Sequence, residues 1–234
     1  MTTAGKGKVW PTEWQKFDDP TTGVSVWQLT NYFAHSFHIY FTNNGWYDNG
    51  NKLLFGSDRW NAANLYSLDL ENGSMTQLTD HDRNDGVGLQ ETFINPKKQE
   101  AYFTKDNKVV ALDLQTYEER TLYEAPKGYN LGNVSCTADG LSVCTAIKED
   151  LSDRIPTNLG AGYGGFEETA KAHPHCQILS IPVAGGEAKL LHEEKTWIGH
   201  VNTSPTQPHL LSLCHEGPWH LVDHRIWCLD LNSG

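Results

Sequence analysis

Short apolar runs alternate with polar turns along the whole chain, and four of these runs share one pattern. In each, apolar residues surround a small or polar one and lead to a Leu-Asp-Leu or similar ending, after which a turn begins. The four runs cover residues 64–70, 108–114, 177–183 and 225–231. Another short apolar run precedes each of them, and a polar–apolar run follows the first three. Runs of this length bounded by turns predict β-strands.

The pattern repeats at a nearly constant interval. It recurs after 44 residues between Leu70 and Leu114, and after 48 residues between Val183 and Leu231. Units of this size with four short strands are typical of β-propeller blades. The sequence therefore predicts an all-β fold, a β-propeller of which about three and three-quarter blades are present.

The predicted units have unequal lengths. Their approximate bounds are 31–80, 81–125, 126–192 and 193–234. The third unit is longer because of an insertion at about 150–175, expected on a rim of the propeller, in which residues 166–172 predict a short helix. The run 25–30 matches the outermost-strand pattern and is expected to help close the ring in the last blade. Because Gly234 falls on a turn where the other units continue, the chain is expected to be a fragment of a longer propeller with exposed edges.

Composition narrows the possible functions. The net charge is −11, which opposes nucleic-acid binding and requires any anion site to be built locally from a few cations. No apolar run approaches the length of a membrane span, and the amino end lacks the apolar core of a signal peptide, so a cytoplasmic protein is expected. The five cysteines have no CxxC spacing, which argues against a zinc site, and are interpreted as buried residues of a reducing compartment.

The densest group of titratable residues lies between two predicted strands, at 210–214 and 226–231. A loop dense in such residues and held by two strands is a common way to build a site. The group consists of His215, Glu216, His220, Asp223, His224 and Arg225. The spacing from His215 to His220 is one residue too long for HExxH, and Pro218 opposes a helix, so no metal ligand is assigned.

Three motifs in this region carry a family resemblance. They are TWIGH at 196–200, LCHEGP at 213–218 and LVDHRIW at 221–227. In this order they closely resemble the oligogalacturonate lyases, seven-bladed propeller enzymes of pectin degradation. The resemblance implies β-elimination of short or unsaturated oligogalacturonides to ketouronic acids, so that the partner would be a small acidic oligosaccharide. It implies that Arg225 is the family's substrate-handling arginine.

The same resemblance places other functional groups outside this sequence. The family's catalytic base is a histidine of the next blade, and its Mn²⁺ ligands, three histidines and a glutamine, come later still. All are expected beyond Gly234, so the fragment itself is expected to be inactive.

The chemistry gives Arg225 an independent rationale. In β-elimination from a uronate, the C5 proton is weakly acidic because the adjacent carboxylate resists further negative charge. A metal or a guanidinium can neutralise that carboxylate, and arginine can grip it with two parallel hydrogen bonds. The alternative is an Arg225 paired in a surface salt bridge, for example with Asp223.

Further residues are candidates for substrate binding. His215 and Glu216 are expected at the inner end of a strand, or else in a turn network. His200, His35 and His38 precede or begin inner strands, where they line the channel or serve as structural histidines. Arg59 follows an inner strand and is either a second uronate contact or a salt-bridge partner of Asp58 or a neighbour. The candidate substrate-binding residues are His215, Glu216, His200, His38, His35 and Arg59.

Two other functions remain open. The repeat is equally compatible with a non-catalytic, TolB-like propeller that binds or scaffolds a partner. The propeller of a serine peptidase is a third possibility, although no GxSxG occurs in this sequence. The GxGxxG match at 160–165 does not close a strand or open a crossover helix, and it is interpreted as a flexible rim loop.

Overall fold

The structure is a computed structural model that describes residues 5–160 and 162–233. The protein is built from β-sheets that pack face to face in chain order. Four antiparallel sheets follow one another in that part of the chain, and a two-stranded hairpin lies near its amino end. None of the helices there has the length and apolarity that crossing a bilayer requires. The predicted all-β class is confirmed.

Three short strands precede the first full sheet. They are β1 (Val9–Trp10), β2 (Gln15–Asp18) and β3 (Ser25–Gln28). Strands β2 and β3 pair antiparallel and form the separate hairpin. Strand β3 is the one expected at residues 25–30. Because its described partner is β2, a role in closing the ring stays a prediction.

The first sheet runs outward in chain order from its innermost strand. Its strands are β4 (Ser36–His38), β5 (Trp46–Tyr47), β6 (Lys52–Ser57), β7 (Asn64–Asp69) and β8 (Met75–Gln77). Both β4 and β5 pair with β6, so the innermost position is shared between two short strands. Strand β1 adds an outer strand that the repeats do not predict, with Trp10 opposite Met75. Single-turn 3-10 helices lie at Asp48–Gly50 and Arg59–Asn61.

The next three sheets also begin at their innermost strand. The second and third have four strands each and the fourth has three within the described residues. The second contains β9 (Val87–Ile94), β10 (Glu100–Lys105), β11 (Lys108–Asp113) and β12 (Glu119–Glu124). The third contains β13 (Tyr129–Cys136), β14 (Ser142–Glu149), β15 (Cys176–Pro182) and β16 (Lys189–Glu194). The fourth contains β17 (Ile198–Thr203), β18 (Leu210–His215) and β19 (Ile226–Asp230).

The aspartates of the repeated Leu-Asp-Leu ending fix the turns that follow it. One carboxylate oxygen of Asp69, Asp113 and Asp230 accepts the backbone N–H two residues later, at 2.9, 2.8 and 3.0 Å. Such side-chain contacts let a turn begin directly after a strand. The third unit has Pro182 in place of the aspartate, and its turn uses Gly185, whose φ of 90° favours glycine. The repeated aspartate is therefore a turn residue.

Apolar side chains join each sheet to the next. Strands contribute them to both faces, so three buried clusters alternate with the four sheets. Their fully buried members include Leu65 and Phe103 between the first and second sheets, Tyr102 and Val134 between the second and third, and Ile178 and Val201 between the third and fourth. Because both faces of these sheets are buried, the strands are nearly continuous apolar runs.

The insertion in the third unit lies between β14 and β15. It contains the single α-helix of the described residues, α1 (Phe166–Lys171), at the position that the sequence predicts. The Phe166 ring contacts the Trp197 ring edge-on, with centroids 5.3 Å apart. The insertion therefore packs against the start of the fourth sheet, where the candidate residues lie.

Candidate functional site

Arg225 is held at the end of the loop between β18 and β19. Its Nη2 donates to Glu216 Oε2 at 2.9 Å, and its Nη1 donates to the Gly217 carbonyl at 2.7 Å. A third donation reaches Cys214 Sγ at 3.6 Å, and the Trp219 ring lies 4.9 Å from the guanidinium carbon. A guanidinium has five N–H donors, so two remain for a ligand. The partner is Glu216 rather than Asp223, the salt-bridge partner considered from the sequence.

Glu216 connects the arginine to a histidine of the innermost strand. Its Oε1 lies 3.4 Å from His200 Nε2, and its backbone N–H donates to the Trp197 carbonyl at 2.8 Å. This position depends on Gly199, because a Cβ there would lie 2.6 Å from Glu216 Cγ. The glycine of the TWIGH motif therefore leaves room for the glutamate of the CHEGP motif.

Tyr40 extends this row across the centre of the molecule. Its hydroxyl lies 3.2 Å from His200 Nδ1, and the two rings stack with centroids 5.8 Å apart. Tyr40 follows β4 of the first sheet, whereas His200 belongs to the fourth. Sheets that are three places apart can touch only if their inner strands surround a common space, which is the central channel. We call the four residues Tyr40, His200, Glu216 and Arg225 the channel row.

Glu91, on the inner strand β9, lies close to the channel row. Burial raises its pKa above the ordinary value, and nearby His200 partly offsets this effect. The pKa of Tyr40 is also raised, by burial and then by the charges of Glu91 and Glu216. Sequence reasoning missed both residues. Tyr40 could have been found from its position two residues after His38, but nothing around Glu91 distinguishes it from a surface carboxylate.

A cavity of about 320 Å³ opens beside the β18–β19 loop. His215 and Glu216 line it, together with Lys171 of α1. The His215 Nε2 lies 2.7 Å from Glu194 Oε1, and its ring packs against Trp227 with centroids 5.0 Å apart. The cavity shows that the insertion lies beside the candidate site.

The first unit's histidines are not joined to the channel row. The backbone N–H of His35 donates to Asp58 Oδ1 at 2.7 Å, and the side chains of His35 and His38 are exposed. Neither imidazole has a hydrogen bond or ion pair with the residues that the structure describes. Contact of His35 and His38 with substrate stays a prediction.

The expectation that Arg59 contacts substrate is wrong. Its side chain is fully buried, and its Nη1 and Nη2 donate to the two carboxylate oxygens of Glu13 at 2.5 and 2.9 Å. The rings of Trp10, Tyr32 and Tyr66 lie within 5.8 Å of the guanidinium carbon. A guanidinium enclosed in this way cannot reach a ligand, and its role is structural.

The residues present do not form a manganese site. Across 5–160 and 162–233, no group of three or more histidine, cysteine, aspartate or glutamate side chains could hold a metal ion. In the channel row, Glu216 already accepts from Arg225, which neutralises its charge. No metal ligand is therefore assigned within this part of the chain.

The fold and this row of polar residues define a β-propeller with a candidate site on its central channel. The oligogalacturonate lyase family model matches residues 4–234, so the chain belongs to the oligogalacturonate lyase family.

Individual relatives agree with the family assignment. An oligogalacturonide lyase of Pectobacterium atrosepticum is 30% identical over 232 residues, which cover 96% of this chain and 57% of that protein. The structure of an oligogalacturonate lyase in complex with manganese matches with a TM-score of 0.86 and 28% identity, over 98% of this chain and 60% of the other. The oligogalacturonate lyase of Vibrio parahaemolyticus gives a TM-score of 0.87 at 26% identity, over 98% and 59%. The chain thus spans less than two thirds of the length of these relatives.

Proposed function

We propose that this chain contributes the carboxylate-binding part of the site of a lyase that cleaves short oligogalacturonides in pectin degradation. The observation that carries the proposal is Arg225, oriented by Glu216 and the Gly217 carbonyl with two N–H donors left over. A planar, permanently charged guanidinium with free N–H donors suits a uronate carboxylate.

The reaction assigned to this site is a β-elimination. A base removes the C5 proton of a uronate, the C4–O bond breaks, and a C4–C5 double bond forms while the leaving oxygen takes up a proton. Arg225 would bind the carboxylate next to C5 and stabilise the charge that develops there. Glu216 would hold the guanidinium in place, and His200 would hold Glu216. Tyr40 and His200 lie on the channel, where they could bind hydroxyl groups of the sugar.

A manganese ion is part of the proposal only for the whole protein. Support comes from the structural relative that was solved with manganese. Its ligands, like the catalytic base, are expected outside residues 1–234, and no step is assigned to it here. The cytoplasmic location stays a prediction from the sequence.

The proposal is tested with the protein expressed from its whole open reading frame. We expect it to convert digalacturonate to ketouronic acid, and we expect a chelator to reduce the rate and Mn²⁺ to restore it. Ketouronic acid is quantified after incubation with digalacturonate, with maltose as the neutral control substrate. If no product forms with or without Mn²⁺, the lyase proposal is wrong, and the TolB-like binding module becomes the better explanation.

Replacing Gly199 by alanine tests the positioning role of Glu216. We expect kcat/KM for digalacturonate to fall about 10- to 100-fold, because the added methyl would displace the Glu216 side chain and misalign Arg225. The unfolding free energy should fall by no more than about 1–2 kcal/mol, since the displaced atoms belong to a side chain and not to the backbone. Gly160→Ala is the matched control, because a Cβ there meets nothing closer than 3.8 Å. Equal activity of the two variants would contradict this role of Glu216.

A further inference from the structure

A larger cavity, of about 770 Å³, opens at the other end of the inner strands. Ile94, Cys136 and Thr203, at or next to the ends of β9, β13 and β17, contribute to its wall. His200 lies near the start of β17, three residues before Thr203. We call this space the distal cavity, because it lies at the opposite end of the channel from Arg225.

Trp46 gives the distal cavity an aromatic surface. The residue is half exposed, at 50%, although it belongs to a paired strand in which it faces Leu53. Its backbone N–H donates to Asn44 Oδ1 at 3.0 Å, and the next residue, Tyr47, donates its hydroxyl to Ser67. These contacts fix the backbone at Trp46, and its half-exposed indole offers an apolar face with a polar N–H, which suits the face of a sugar ring.

Two lysines give the distal cavity a local positive charge. Lys97 and Lys98 are exposed, and their backbone N–H groups donate to Oδ1 of the buried Asn95 at 2.8 and 3.0 Å. Within the described residues, no carboxylate lies within 4.0 Å of either ammonium, while the acidic lining residue Asp48 has its own partner, Lys52, at 3.6 Å. In a chain of net charge −11, two such cations on one rigid loop provide the local attraction that an anion needs.

Hydroxyl and amide groups complete the polar lining. Ser135 Oγ and Thr203 Oγ1 lie 2.8 Å apart on neighbouring inner strands. The Asn202 carboxamide donates to the His200 carbonyl at 3.0 Å, so one residue contacts both the distal cavity and the channel row. The lining thus combines an aromatic face, cations and hydrogen-bonding groups within the volume range of small-molecule sites.

We infer that the distal cavity is a second, non-catalytic binding site for a uronate-containing oligosaccharide. Trp46 stacks on a sugar ring, Lys97 and Lys98 pair with uronate carboxylates, and Asn202 contacts hydroxyl groups. The choice of a uronate rests on the proposed function, whereas the chemistry of the lining independently favours an anionic, ring-shaped ligand. Binding there would hold a product or a longer chain at the channel end away from the cleavage site.

The test follows two tryptophans at opposite ends of the channel. The protein from the whole open reading frame is labelled with 5-fluorotryptophan and carries Arg225→Lys to slow turnover. Fluorine resonances of Trp46 and Trp219, assigned by their loss in single Phe variants, are recorded during titration with trigalacturonate and, separately, with neutral maltotriose. We expect the Trp46 resonance to shift to saturation with trigalacturonate and to remain unchanged with maltotriose.

Two variants locate the binding. We expect the double variant Lys97→Gln/Lys98→Gln to raise the apparent Kd at Trp46 about three- to tenfold, since exposed ion pairs contribute modestly. The control Lys127→Gln/Lys189→Gln removes two other exposed lysines and should leave that Kd unchanged.

The readouts also separate this proposal from the lyase proposal. If Trp46 does not respond while Trp219 does, or if the two double variants behave alike, the distal site is wrong and the lyase proposal stands. Digalacturonate cleavage by the protein with native Arg225 is measured in parallel. If Trp46 responds and that protein cleaves nothing, the distal site stands and the lyase proposal fails.

Discussion

Replacing Arg225 by lysine is expected to lower kcat for digalacturonate by two to three orders of magnitude in the whole protein. That is the usual loss when one preorganised donor to a developing negative charge is removed. Lysine keeps the positive charge but cannot donate to Glu216, the Gly217 carbonyl and a carboxylate in one plane. Charge alone is therefore not expected to rescue the reaction. Steady-state kinetics with digalacturonate measures the effect.

The control for this variant is Arg154→Lys. Arg154 also pairs with a glutamate, since its Nη2 lies 2.7 Å from Glu149 Oε1, but it is exposed on the insertion. We expect its replacement to change kcat less than twofold, because an exposed ion pair contributes little. If Arg225→Lys retained more than a tenth of the activity, a carboxylate clamp at Arg225 would be ruled out.

Replacing Glu13 by alanine is expected to lower the unfolding free energy by about 3–5 kcal/mol. The change leaves the Arg59 guanidinium, which has no exposed side-chain surface, without its carboxylate. An unpaired charge enclosed by aromatic rings costs far more than a lost surface contact. Urea unfolding at neutral pH measures the difference. Glu71→Ala, at an exposed glutamate outside any described ion pair, should remain within about 0.5 kcal/mol of the original protein.

Two further measurements distinguish a lost ion pair from general damage. The double variant Glu13→Ala/Arg59→Met should recover much of the stability, because apolar groups can replace a buried pair at little cost. The cost of Glu13→Ala should also shrink at low pH. Burial tends to raise the Glu13 pKa, but hydrogen bonds from Arg59 and the Asn31 backbone outweigh it and hold the pKa below the ordinary value of 4.5. Stability from this carboxylate is present above pH 4.5 and is lost as pH falls through the lowered pKa.

If Glu13→Ala were as stable as Glu71→Ala, Arg59 would not depend on its carboxylate. The structural role given to Arg59 would then be wrong, and the substrate contact expected from the sequence would have to be reconsidered.

Much of the fold could be predicted because its signals are local. Alternating apolar runs, Leu-Asp-Leu endings and the 40–50-residue interval specify strands, turns and blades without knowledge of distant contacts. Helix α1 was likewise predicted within one residue. The outer strand β1 was not, because two residues, Val9 and Trp10, carry no periodicity, and their pairing depends on β8 more than 60 residues away.

The sequence by itself predicted the blades and the family motifs and made Arg225 a candidate site residue, since each depends on residues close together in the chain. The tertiary structure decided which groups share the channel. It brought Tyr40 to His200 from 160 residues away, and it paired Arg59 with Glu13 from 46 residues away. A local pattern cannot show on which side of a sheet a charged group finds its partner, because that depends on how separate blades pack around one axis. For the same reason, two arginines beside similar loops have different surroundings. Arg59 is buried among aromatic rings, whereas Arg225 is partly exposed at the channel row.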